Sequence, residues 1–462
     1  MIPDRIKSVM SQDVCELAGL FSQEGHDLYL VGGSVRDALL GRDGDDLDFT
    51  TDARPDDIER IGTGWANSTY LAGRAFGTIG FVKNHHTYEI TTFRSEMYRD
   101  DSRKPVVTFS DDITEDLSRR DFTVNAMAIK VPAADGDLPE MIDPHRGLAD
   151  LGSRELRTPM DPEVSFGDDP LRMLRLFRFI STLGFVADDE AFKAVLRLKE
   201  RIQIVSAERI RNEFDKLMTG AGVVDALESL VNSGLAGEFI PEIPALAVEQ
   251  DPHHKHKDVL AHTIAVVGKA SPRLRLRLAA LFHDIGKPAT RDFDKGGVSF
   301  HHHEVVGARM TRKRMQELRY PKDIVRDTSQ LVFLHMRPHT YKMGWTDSAV
   351  RRYVRDAGPL LEDLNELVRC DVTTRNQRRA RTISNRIDEL EIRIDDLAQR
   401  EELDKLRPPI DGNDVMRYLG LEPSRRVGEI MNMLLEHRIE EGPYTKEEAY
   451  ALLDDWRETQ PE

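Results

Sequence analysis

Short apolar runs separated by polar stretches dominate the first 150 residues, and helical spacing takes over from about residue 165. The earliest ordered pattern is an amphipathic helix over residues 14–21, leading into Leu28-Tyr29-Leu30-Val31, a run with the length and composition of a buried strand. Gly32-Gly33 ends that run, and residues 34–40 read as the first turns of a helix. Residues 46–49, Asp-Leu-Asp-Phe, alternate acidic with apolar. As a strand they put Asp46 and Asp48 on one face, with Leu47 and Phe49 on the other. Pro55 marks a helix start, and residues 77–82 and 86–93 predict paired strands. Residues 94–105, RSEMYRDDSRKP, are charged and aperiodic and predict a mobile loop. Residues 386–406 repeat Ile and Leu between charges, residues 408–415 break the pattern, and residues 427–438 predict a last amphipathic helix. The fold class expected is α+β: a small mixed-sheet head over residues 1–150, then all-helical segments over 151–248, 249–375 and 376–462.

The chemistry that these elements carry begins at the glycine pair. Glycines between a strand and a helix leave backbone N–H groups uncovered, and the helix N-terminus favours an anion. Two carboxylates side by side, as Asp46 and Asp48 would be, repel each other unless a divalent cation joins them. A phosphate cradle followed by a metal-binding Asp-x-Asp is equipment for nucleotidyl or phosphoryl transfer. The spacings of a P-loop and of a dinucleotide fingerprint are absent. Glu89 either joins the same site as a third carboxylate or stays solvated or paired across strands. Residues 115–126, EDLSRRDFTVNA, offer two arginines, an Asp and an Asn around an expected strand, suited to triphosphate oxygens and a ribose hydroxyl.

Asp169, Arg172, Arg175 and Arg178 recur every three residues and so neighbour one another along a helix. Cytosine and adenine each present an amine donor beside a ring-nitrogen acceptor; uracil and guanine present a carbonyl there instead. A carboxylate next to a guanidinium therefore accepts C and A and rejects U and G, and Asp169 with Arg172 forms such a pair. Further on, residues 278–287, LAALFHDIGK, form an apolar helix ending in His283-Asp284, which invites a metal because imidazole and carboxylate suit a hydrolytic cation.

Bulk properties narrow the picture. A chain of 462 residues has room for three or four domains. The net charge of −16 argues against tight, indiscriminate nucleic-acid binding, although basic stretches occur at residues 273–277, 309–314, 351–352 and 375–381. No apolar run reaches membrane-spanning length, and the two cysteines, Cys15 and Cys370, fit a reducing cytoplasm without disulfides.

The strings LVGGSVRDALLGR, DDLDFTTDARP and RRDFTVNA resemble the head signatures of class II tRNA nucleotidyltransferases, the CCA-adding enzymes and their bacterial poly(A) polymerase relatives. The resemblance implies that C, C and A are added to the 3′ end of tRNA from CTP and ATP, with Asp46 and Asp48 catalytic and binding Mg2+. Gly33, Arg36 and Arg120 would hold the triphosphate, and Asp169, Arg172, Arg175 and Arg178 would select the base. The family's template motif usually has Glu where this chain has Asp168. The loop over residues 94–105 would assist the switch from C to A addition. Residues 249–375 resemble the HD phosphohydrolase superfamily, which implies His262, His283, Asp284 and Asp371 as ligands of a divalent transition metal or Mg2+, with His302 or His303, and His335, extending the site to a second ion. The tail would contact the tRNA body. A poly(A) polymerase and a metal-dependent phosphohydrolase acting on RNA or nucleotides are the alternatives.

Overall fold

The computed structural model describes residues 6, 9–42, 46–97, 106–133, 138–247, 258–294, 297–372, 377–401 and 406–459. It divides into two compact units, Met1–Pro244 and Ala245–Glu462. The α+β class expected from the sequence is what forms.

The first unit is built on a seven-stranded mixed sheet. Helix α1 (Gln12–Gln23) precedes β1 (Leu28–Val31), α2 (Gly33–Leu40), β2 (Asp46–Thr51) and α3 (Pro55–Thr63). Then come β3 (Ser68–Tyr70), β4 (Thr78–Lys83), β5 (His86–Thr92), the hairpin β6 (Arg94–Met97) and β7 (Val106–Phe109), α4 (Ile113–Ser118), β8 (Ala128–Lys130) and β9 (Glu140–Ile142). The strand order is β3-β4-β5-β2-β1-β8-β9; β2 runs parallel to β5, and the other neighbours are antiparallel. All four residues of β1 are buried, as a central strand requires. Phe49, Phe81 and Tyr88 fill the interior, and a Cβ on Gly62 of α3 would lie 2.2 Å from the Phe81 ring, so that helix can approach the sheet only as glycine there.

Two expectations are corrected here. Residues 94–97 are not loop: their backbone pairs with residues 106–109, because strand pairing satisfies the peptide groups whatever the side-chain charge; residues 98–105 of the expected loop lie outside the described residues. Residues 115–126 do not surround a strand. Asp112 caps α4 by accepting from the Thr114 N–H at 2.8 Å, and residues Thr123–Asn125 make a 3-10 turn before β8.

The rest of the first unit is mainly helical, with α5 (Gly147–Ser153), α6 (Pro162–Asp168), α7 (Leu171–Leu183), α8 (Asp189–Leu198), α9 (Ala207–Thr219), α10 (Val223–Asn232) and the short α11 (Ala236–Phe239). Leu174, Phe177 and Phe214 are wholly buried where α7 meets α9.

The second unit holds α12 (Val259–Lys269), α13 (Leu274–Phe282), α14 (His303–Glu317), α15 (Lys322–Leu334), α16 (Asp347–Ala357), α17 (Leu361–Cys370), α18 (Gln377–Glu401), α19 (Gly412–Leu419), α20 (Arg425–Glu441) and α21 (Lys446–Glu458). Ile387, Leu390, Ile394 and Leu397 form the buried stripe of α18 that the Ile/Leu repeat predicts. The helix expected last, over residues 427–438, is followed by α21, which Thr445 and Glu448 start with a capping box. Beneath α16 and α20, Glu401 accepts a bidentate pair of bonds from Arg351 at 2.8 and 2.9 Å and a further one from Arg438 at 3.2 Å, all three side chains being at most 10% exposed.

Candidate functional site

In the first unit the candidate site forms where β1, α2 and β2 meet. Asp48 sits in β2 with its N–H donating to Ser34 Oγ of α2 at 3.1 Å. Gly32, at φ 68°, turns the chain between strand and helix; a Cβ there would lie 2.8 Å from Arg120 Nη1 and 4.0 Å from Asp48 Oδ2. Glycine thus leaves a space between a carboxylate and a guanidinium that any side chain would fill, a space suited to a cation on Asp48 and to phosphate oxygens on Arg120. Asp48 and Glu89 are register partners on the parallel strands β2 and β5, so their side chains leave the sheet on the same face. Glu89 is exposed and accepts from the Tyr70 hydroxyl at 3.1 Å. Asp46 lies in β2 opposite Thr87; its side chain is outside the described residues.

The arginines are held from behind. Arg120 Nη2 donates to Asp116 at 3.1 Å, and Asp116, wholly buried, also takes Arg119. Burial opposes ionisation of Asp116, but the two guanidinium groups hold its carboxyl below the usual range. Arg36, on α2 beside Gly33, donates through Nη1 to Asn125 at 2.6 Å and through Nε and Nη2 to Asp37. The Asn125 amide in turn donates to Asp121 at 2.9 Å, and Asp121 pairs with Arg175 of α7 at 2.6 Å. Burial works against the Asp121 charge; Arg175 and the Asn125 amide outweigh it and bring the group down to about 2. One polar chain therefore joins the glycine turn to α7.

Further along α7, Arg178 pairs with Glu213 of α9 at 2.9 Å and lies 4.0 Å from the centroid of the Phe179 ring. Burial and the like charge of Arg175 lower Arg178 to about 10. Next to it a cavity of about 410 Å³ is lined by Arg36, Arg178, Phe179, Thr182, Lys216 and Thr219.

The stripe expected from Asp169 to Arg178 does not begin on the helix: Asp169 stands before it, and its carboxylate is bonded elsewhere than to Arg172. Pro170 disfavours helical backbone in the residue before it, so Asp169 is extended (φ −129°, ψ 97°) and stands between α6 and α7, just after Asp168. Asp169 accepts from Leu171 N–H at 3.2 Å and from Arg209 of α9 at 3.1 Å. Arg172, 7% exposed, donates to Ser165 Oγ at 2.8 Å and to the Arg119 carbonyl. Arg209 was invisible in the sequence because it is 40 residues from its partner.

In the second unit the ends of several helices converge on a histidine-carboxylate cluster. His283 and Asp284 follow α13, His335 follows α15 and Asp371 follows α17, while His303 opens α14 and His262 projects from α12. His262 Nε2 lies 2.9 Å from Asp371 and 3.6 Å from Asp284; His283 Nε2 lies 3.2 Å from Asp284. Of the two histidines that could extend the site, the fold selects His303, 3.4 Å from Asp284, while the His302 side chain is 84% exposed. Two groups of possible ligands result, His262-His283-Asp284 and Asp284-His303-His335, and they share Asp284.

The proton positions make this cluster fit a cation. His283, His303 and His335 each donate Nδ1–H to a backbone carbonyl three residues earlier, at 2.8, 2.9 and 2.6 Å. In a neutral ring that leaves a lone pair on Nε2. Burial lowers both His303 and His335, the latter to about 3, yet their Nε2 atoms face each other at 3.3 Å. Two opposed lone pairs repel unless a positive ion lies against both. At His283 burial opposes the charge, but Asp284 and Asp371 overcome it and push the ring up to about 10, so a cation held at its Nε2 would displace a proton that the two carboxylates otherwise keep there. Sequence reading missed His339, 3.1 Å from Asp371, and Lys287, 2.6 Å from Asp284; their spacings of four from His335 and three from Asp284 were the available signals.

Both units match known protein families. Family models match residues 28–157 (Poly A polymerase head domain), 184–246 (probable RNA and SrmB-binding site of polymerase A) and 259–376 (HD domain). Nucleotidyltransferase and HD domains generally use divalent metals. The chain is 32% identical over 448 residues to the A-adding tRNA nucleotidyltransferase of Deinococcus radiodurans, covering 94% of this chain and 96% of that protein. It is 31% identical over 445 residues to the CC-adding tRNA nucleotidyltransferase of Thermus thermophilus, covering 93% and 94%. With the CCA-adding enzyme of Bacillus velezensis it shares 40% identity over 224 residues, 48% of this chain and 53% of that one, so the chain spans about half the length of the curated CCA-adding relatives it matches. The fold resembles that of the Bacillus stearothermophilus CCA-adding enzyme in complex with CTP, with a TM-score of 0.66, 23% identity and 99% of both chains covered.

Proposed function

Because the chain belongs to the tRNA nucleotidyltransferase family, we propose that it adds C, C and A to the 3′ end of tRNA from CTP and ATP, without a nucleic-acid template. The observation that carries this reading is the meeting of Asp48 and Arg120 across Gly32, next to an arginine that a polar chain joins to the helix after Asp169.

Asp46 and Asp48 would hold Mg2+, which, when bound, lowers the pKa of the terminal hydroxyl and neutralises charge on the leaving pyrophosphate. The chain's own residues bind and orient. Gly33, Arg36 and Arg120 hold triphosphate oxygens, and their carboxylate and amide partners keep the guanidinium planes fixed before the nucleotide arrives. Asp169 accepts the exocyclic amine of cytosine or adenine. Arg172, which gives three of its five N–H donors to the Ser165 hydroxyl, the Ser165 carbonyl and the Arg119 carbonyl, has Nε–H and one Nη2–H left for the ring nitrogen, and Arg175 and Arg178 complete the base-selecting face. In the second unit, His262, His283, Asp284 and Asp371 would hold a divalent transition metal or Mg2+, and His303 and His335 a second ion through Asp284; such ions activate water against a phosphoester. We read the chain as a head over 1–150, a neck over 151–248, an HD domain over 249–375 and a tail over 376–462 that contacts the tRNA body, working in the cytoplasm.

That two relatives matched along nearly the whole chain are named for adding only A, or only CC, favours a second reading of partial addition. Labelled CTP and ATP, supplied separately and together to tRNA transcripts ending at the discriminator base or at CC, test both. Full CCA on the first transcript supports the proposal. Addition of A to the CC transcript alone, or of CC alone, establishes partial activity, and long A tracts identify a poly(A) polymerase.

A further inference from the structure

Three imidazoles surround the Asp371 carboxylate. Oδ1 lies 2.9 Å from His262 Nε2 and 3.6 Å from His283 Nε2, and Oδ2 lies 3.1 Å from His339 Nε2. His262 and His283 are among the residues that would hold an ion, and His339 is the one of the three outside both groups of possible ligands. An ion at the Nε2 atoms of His262 and His283 takes the positions from which these rings face Oδ1, so neither can go on donating to it. The His339 bond to Oδ2 survives that change. A carboxylate has no hydrogen to give, so the proton in this bond is on Nε2 whatever the charge of the ring.

His339 owes its place to contacts away from the cluster. It stands in the 3-10 turn Arg337–Met343, which follows α15. Arg337 of that turn pairs with Asp356 of α16, and Tyr341, 8% exposed, meets the Trp345 ring edge-on with 5.3 Å between centroids. The ring therefore holds Asp371, not the reverse. His335, four residues earlier, is buried and faces His303, whereas the His339 side chain is 30% exposed. One short segment thus serves both halves of the cluster, with His335 in one group of ligands and His339 behind the carboxylate at the edge of the other.

The geometry points to His339 as a positioning residue for the ion assigned to His262, His283, Asp284 and Asp371: by donating to Asp371 Oδ2 it fixes the carboxylate plane and presents Oδ1 as the ligand oxygen. Without that bond the carboxylate turns freely, because the terminal torsion of Asp is broad and twofold. This rests on the reading of the cluster as an ion site proposed above. The group formed by Asp284, His303 and His335 makes no use of Asp371, so only one of the two ions needs His339.

The test uses the full chain, stripped of metal by a chelator and dialysed against a series of Mn2+ concentrations. Wild type, His339→Ala, His339→Gln and Asp371→Ala are compared, with the unfolding temperature of each ion-free protein. The head is the same in all four, so differences between them report the second unit. His339→Ala is expected to weaken one Mn2+ by about 10- to 100-fold and to leave the other unchanged, with ion-free unfolding as in wild type. His339→Gln, whose amide N–H can reach the same oxygen, is expected to restore most of the affinity. Wild-type affinity in His339→Ala overturns the inference. So does equal weakening of both ions, and so does a loss in His339→Gln as complete as in His339→Ala, which makes His339 a ligand itself. The control separates the two levels: if Asp371→Ala keeps the affinity, Asp371 is no ligand and His339 falls with it; if only His339→Ala keeps it, the positioning role alone fails.

Discussion

Arg36 Nη1 donates to Asn125 Oδ1 at 2.6 Å, across 89 residues of sequence, and the other end of the same amide donates to Asp121. The amide does both because it offers an acceptor and a donor on one planar group. Asn125→Asp keeps the bond to Arg36 but sets two carboxylates against each other; Asn125→Ala removes both bonds and leaves Arg36 to Asp37 and Asp121 to Arg175. Either change is expected to cost the first unit about 1–3 kcal/mol and to raise KM for nucleotide, with Asn125→Asp recovering as the pH is lowered. Hydrogen exchange of the β1 and β2 amides and nucleotide-addition kinetics check this; a variant with normal exchange and normal KM refutes it.

Acid should loosen the first unit through its buried carboxylates. Asp121 is held at about 2 in the folded chain, and Asp116 is also lowered. A depressed carboxylate contributes stability that is complete above its unfolded pKa, about 4, and that disappears as the pH falls through the folded value. For Asp121 the window therefore runs from about pH 4 down to about pH 2 and is worth about 2 kcal/mol. Asp121→Asn should be less stable at neutral pH and show a shallower loss across that window, measured by urea unfolding at several pH values. An unaltered slope would count against it.

Metal content separates the two halves of the histidine cluster. Because Asp284 belongs to both groups of ligands, Asp284→Ala is expected to abolish binding of both ions, while His335→Ala removes one and His262→Ala the other. Equilibrium dialysis against Mn2+ or Zn2+, followed by elemental analysis, reads the stoichiometry. Retention of two ions by His335→Ala would exclude the shared-carboxylate arrangement. Nucleotide addition should survive all three substitutions.

In the second unit, Glu401 neutralises Arg351 and Arg438 where neither reaches bulk water. Glu401→Ala leaves two buried guanidinium groups without a carboxylate and is expected to cost about 3 kcal/mol or more. Urea unfolding followed by fluorescence of Trp345 and Trp456, both in that unit, measures it. A change below 1 kcal/mol would show that water or another carboxylate replaces Glu401.

Much of this was written locally. The run over residues 28–31, the glycine pair, the alternation of Asp46 to Phe49 and the paired strands after residue 77 each depend on neighbours in sequence, through backbone preference and the two-residue period of a strand, and they appear as read. His283-Asp284 at the end of an apolar helix is equally local. What only the tertiary structure decided are the partnerships between distant side chains: Arg209 rather than Arg172 beside Asp169, His303 rather than His302 beside Asp284, and Asn125 between Arg36 and Asp121. A charged group takes whichever opposite charge folding brings within about 3 Å, and that distance is unrelated to separation along the chain. Pro170 shows the two levels meeting. Its ring dictates locally that Asp169 leaves the helix, and the packing of α9 then supplies the arginine that receives it.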